Sequence, residues 1–97
     1  MKINDILECF NKALDLQGNP DKIHYVAHSS WERKMGTIKQ ATTTITLIDP
    51  KVGAKEIVCA EHTASTPVGQ EDILIEETQR RALTEFITKW NHDTGVR

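Results

Sequence analysis

The stretch Gln70-Glu-Asp-Ile-Leu-Ile-Glu-Glu-Thr-Gln-Arg-Arg-Ala-Leu-Thr-Glu-Phe-Ile-Thr-Lys-Trp90 decides the fold. Leu74, Ile75, Ala82, Leu83, Phe86, Ile87 and Trp90 fall three or four residues apart, the spacing of one buried helical face. Glu71 and Asp72 stand at its entrance, where negative charge complements the helix dipole. A helix of this length and polarity needs a sheet to cover, and the preceding chain supplies the strands.

Working back from it, Ser65-Thr66-Pro67-Val68-Gly69 reads as a loop, and Glu56–Ala64 as a strand. Val58, Ala60 and Ala64 are expected to face the helices, with Ile57 and Cys59 on the other side. Asp49-Pro50-Lys51-Val52-Gly53 places Pro and Gly where a turn wants them. Thr37–Ile48 is rich in β-branched Thr and Ile, with Ala41, Thr43, Ile45 and Leu47 as inner positions. Glu32–Gly36 reads as a charged connection, and Ile23–Trp31 alternates as the first strand, with Ile23, Tyr25, Ala27 and Trp31 on one face. Asn19-Pro20-Asp21 makes a turn. Before it, Ile3, Ile6, Leu7, Phe10, Ala13 and Leu14 trace a second helical stripe, capped by Asn4 or Asp5 and stopped at Gly18. The tail Asn91–Arg97 is polar and expected to fray.

The fold class is therefore α+β: helix, three-stranded antiparallel sheet, helix, with both helices on one sheet face. Residues 1–97 form a single domain, because a chain this short buries only a little over ~60% of its unfolded surface. A net charge of −2 provides no general attraction to nucleic acid or to anionic membrane. The chain from Glu56 to Glu77 carries six carboxylates and no Lys or Arg. Cys9 and Cys59 lie far apart, with no signal peptide and no apolar run of spanning length. A cytoplasmic protein with two reduced, partly buried thiols is expected.

This element order, over Ile3–Trp90, resembles the double-stranded-RNA-binding domain family. Members of that family carry Lys-Lys-x-Ala-Lys-x-x-Ala-Ala-x-x-Ala-Leu in the final helix, and its closing Ala-Leu matches Ala82-Leu83 here. The resemblance implies the same packing register, with Leu74, Thr78, Ala82 and Leu83 inward. It does not carry over the contact residues. Where the family keeps phosphate-clamping lysines, this chain has Glu71, Asp72 and Ile75, which repel phosphate.

Other chemistries find little footing. Cys59 and His62 are three apart on a strand and so point to opposite faces. His24 and His28, four apart, are separated by roughly 13 Å. Neither pair chelates metal locally, and Cys59–His62 lacks the geometry of a thiolate–imidazole couple. No phosphate-cradling loop or nucleophile elbow occurs. We therefore expect no catalytic residues, no metal and no cofactor.

Two surfaces remain. Trp31 with Arg33, Lys34 and Lys39 joins an aromatic to cations near the first hairpin, a pattern able to hold a nucleic-acid backbone. Glu71, Asp72, Glu76 and Glu77 form an acid surface suited to a basic protein partner. The Thr-rich second strand and the open sheet face suggest pairing with a second copy. The leading expectation is a non-catalytic module that binds a protein partner or itself as a homodimer, away from membranes. The alternative is a nucleic-acid-binding domain that uses the Trp31/Arg33/Lys34/Lys39 hairpin.

Overall fold

In the computed structural model, which describes residues 2–93, the elements run α1 (Ile3–Leu16), β1 (His24–Met35), β2 (Ile38–Asp49), β3 (Gly53–Ser65) and α2 (Glu71–Asp93). The sheet is antiparallel in the order β1-β2-β3. The two helices and three-stranded sheet make the α+β architecture expected from the sequence. Ile3 and Leu7 of α1 and Ala82 and Phe86 of α2 join Ile45, Val58 and Ala60 in one core, so both helices lie on one face.

The core changes character along the strands. At one end, Phe10 and Tyr25 each meet Phe86 and Trp90 edge to face, with Phe86 centred 5.1 Å from Phe10 and 4.8 Å from Tyr25. The middle is polar. Thr43 Oγ1 lies 2.8 Å from both Ser29 Oγ and Thr78 Oγ1, and Gln79 donates to Ser29 from α2. At the far end Lys39 is buried against Trp31 and Glu71. Among the described residues every buried side-chain N or O atom has a partner, which is what makes such a polar core tolerable.

Three asparagines fasten α1 and its connection to the edge of β1. Asn4 accepts from the Ala27 N–H (2.8 Å) and donates to the Ala27 carbonyl (3.1 Å). Asn11 does the same at Tyr25 (2.7 and 3.0 Å), and Asn19 at Ile23 (3.1 and 2.8 Å). A side-chain amide carries the same donor and acceptor as a peptide unit. These three therefore stand in for a fourth strand at Ile23, Tyr25 and Ala27. Asn4 and Asn11 can share the task because seven residues are two helical turns. Neither Asn4 nor Asp5 caps the helix: its N-cap is Lys2, without a side-chain bond. Gly18, at φ 92°, ends the helix as expected.

The elements differ from the sequence reading in several places, and β3 starts at Gly53 and not at Glu56. β1 and β2 run on to a tight turn at Gly36 (φ 55°), so Glu32–Met35 are strand and not connection. This segment is exposed throughout and lies beyond helical cover, which is why its alternation does not show in the sequence. Opposite Ile45 and Thr46, β3 carries a bulge at Ile57, which turns that side chain toward the core and not to the open face. Asn91–Asp93 continue α2, and the remainder of the expected frayed tail lies outside the described residues.

Candidate functional site

Lys39 and Glu71, expected on two separate surfaces, instead bond to each other inside the fold. Lys39 sits at the same strand parity as Ala41, Thr43 and Ile45, so its side chain enters the helix-covered side and is 1% exposed. Its Nζ donates to the Thr66 carbonyl (3.0 Å), the Pro67 carbonyl (3.4 Å) and Glu71 Oε1 (2.7 Å). That uses all three ammonium protons. The same nitrogen lies 5.4 Å from the centre of the Trp31 ring.

Glu71, expected as a docking carboxylate, is thus the counter-ion of a buried lysine. Its carboxyl is held below the usual carboxylate range, chiefly by the Lys39 bond and further by backbone N–H groups that include Gly69. The pair ties the loop after β3 and the start of α2 to the central strand. Neither residue presents its charge to a partner.

The other sequence-selected residues are accessible. Trp31 is 41% exposed. Arg33 is exposed, and Lys34 bonds Glu32 at 2.6 Å. On α2, Asp72 and Glu76 are exposed, while Glu77 accepts from Arg80 and Arg81 at 3.2 and 3.1 Å. The acid patch is therefore partly neutralised by the following helical turn.

The opposite side of the sheet is the larger surface. Rows across it read His24–Ile48–Ala54, Val26–Thr46–Glu56, His28–Thr44–Cys59, Ser30–Thr42–Glu61 and Glu32–Gln40–Thr63. Paired residues in an antiparallel sheet point to one face, so these fifteen side chains share it. The middle column holds no charge. The β1 column holds His24, His28 and Glu32, whereas Glu56 and Glu61 stand in the β3 column. A signal for this face was present in the sequence, because Thr42, Thr44 and Thr46 alternate with the inner Ala41, Thr43 and Ile45.

Both cysteines are exposed, not partly buried as expected: Cys59 lies in the open-face column and Cys9 on the outer side of α1. Partial desolvation, then Glu56 and Glu61, push the Cys59 thiol above its ordinary pKa. His62 pairs with inward-facing Ala41, so the sheet separates it from Cys59. Among the described residues, no three His, Cys, Asp or Glu side chains stand close enough to hold a metal ion, and no helix is long and apolar enough to cross a membrane.

Comparison with protein-family models, with curated proteins and with solved structures returned no match.

Proposed function

We propose that this chain is a non-catalytic cytoplasmic module that acts by protein–protein contact, and that the uncovered sheet face is its platform. The observation that carries the reading is the one-sided cover: two helices close one face of strands 12–13 residues long, leaving the other to Thr, Ile, Val and Gln side chains with charge confined to the margins. Uncharged centres with polar rims are the composition of protein contacts. Such a surface offers phosphate little, since its fixed charges include Glu32, Glu56 and Glu61. The Cys59 thiol, kept protonated and apart from His62, is poorly placed to act as a nucleophile.

Thr44→Arg, at the middle of the platform, tests the reading. A protein recovered by the wild type should be lost with this variant and retained by the double change Glu76→Lys and Glu77→Lys, with all three chains equally folded by circular dichroism. Retention by Thr44→Arg would overturn the platform. Recovery of nucleic acid that disappears with Arg33→Glu would favour the alternative reading at Trp31, Arg33 and Lys34, a hairpin contact related to that of double-stranded-RNA-binding domains.

A further inference from the structure

We propose that the occupant of the open face is a second copy of this chain, stacked sheet to sheet about a two-fold axis running along β2. This rests on the platform reading above and adds the partner and its orientation.

The charge layout selects the orientation. The β1 column holds His24, His28 and, at its hairpin end, Glu32; the central column is uncharged, and the β3 column holds Glu56 and Glu61. A two-fold axis along the central strand sets each copy's β1 over the other's β3. His28 then lies above Cys59 of the second copy, between Glu56 and Glu61 of that copy. An imidazole donates to a carboxylate whether neutral or protonated. Glu32, already bonded to Lys34, brings no unpaired charge to the next row. A two-fold axis across the strands would set Glu32 over His24 of the other copy, but in the rows next to the centre it lays Glu56 over Glu61 of that copy, twice, which costs like-charge repulsion. Isologous contact along β2 is thus the arrangement in which the face complements itself.

Size and position agree. Three strands of 12–13 residues span a face of about 14 Å by about 40 Å, some ~560 Å² before side-chain relief, against the ~800 Å² each partner contributes to a standard interface. The row His28–Thr44–Cys59 lies near the midpoint of β2. It is therefore least displaced by the roughly 30° at which aligned sheets cross. Edge-to-edge assembly competes poorly. Asn4, Asn11 and Asn19 occupy the β1 edge at Ile23, Tyr25 and Ala27. The β3 edge is bent at Ile57, whose carbonyl accepts from Lys89 Nζ at 2.9 Å.

Sedimentation and light scattering over roughly 1–500 µM, the range expected of a small polar interface, decide the matter. The wild type should pass from 11.0 kDa to twice that mass. Thr44→Arg, which brings two guanidinium groups together on the axis, should stay monomeric and melt with the wild type at concentrations where both are monomers. His28→Glu should weaken association about tenfold or more, and adding Glu56→Lys and Glu61→Lys to that variant should restore it. A wild type that is monomeric throughout overturns the self-pairing, as does a dimer untouched by Thr44→Arg or one that His28→Glu weakens without rescue. A monomeric wild type whose capture of another protein is still abolished by Thr44→Arg would remove this inference and keep the platform.

Discussion

Because Lys39 donates all three of its protons inside the molecule, the protonation of Glu71 is coupled to folding. The folded-state pKa of Glu71 is depressed. Its stabilising contribution is therefore complete above the unfolded pKa and is lost as pH falls through the folded one. Melting temperatures measured from pH 7 down to pH 3 should fall more steeply for the wild type than for Glu71→Gln, which cannot titrate. Equal slopes would mean that the pair carries no linkage. Cys59 makes the opposite case, a thiol raised by desolvation and by Glu56 and Glu61. Despite its exposure in the monomer, at concentrations too low for pairing it should react with iodoacetamide at neutral pH more slowly than a small-molecule thiol. Glu56→Gln with Glu61→Gln should recover only part of that rate, because desolvation is the larger cause.

The helices hold to the sheet by different means. The stripe of α2 centres its aromatic end on Phe86, 2% exposed and in contact with the rings of Phe10, Tyr25 and Trp90. Phe86→Ala should cost about 3–5 kcal/mol, read from the denaturant midpoint. The attachment of α1 is partly polar. Asn11→Ala leaves the Tyr25 N–H and carbonyl without their side-chain partner at a part-buried site and should cost about 1–2 kcal/mol. Asn11→Asp, which keeps the acceptor and loses the donor, should not restore it. The two attachments were not equally legible beforehand. Four-residue spacing from Leu74 to Phe86 shows in the sequence because burial is periodic. Asn4 and Asn11 are scattered polar residues until β1 is placed beside them, although their spacing does set both next to the Ile3–Leu7–Phe10 stripe. Lys39 was legible in part, since its parity with Ala41 and Thr43 already pointed it inward. Charge made it look like a surface residue, and its partners, the Thr66 and Pro67 carbonyls, are 27 and 28 residues away.

The whole molecule is a plate of 49 × 30 × 18 Å, one sheet and one helical layer thick. Its radius of gyration, 15.2 Å, exceeds the ~12.5 Å of a compact chain of this length. X-ray scattering from the monomeric Thr44→Arg variant should show a pair-distance distribution that tails to about the 49 Å long axis; a symmetric profile of a ~12.5 Å sphere would contradict it. The asparagine contacts along β1 have a consequence at this scale. Cutting away the first 20 residues would remove every one of them, together with Ile3, Leu7 and Phe10. The remainder would keep its three ribbons but expose raw backbone beside bare aromatic rings, the condition from which fibrils grow. The leading helix, with Asn19 behind it, is thus a stopper that the protein carries for its own sheet.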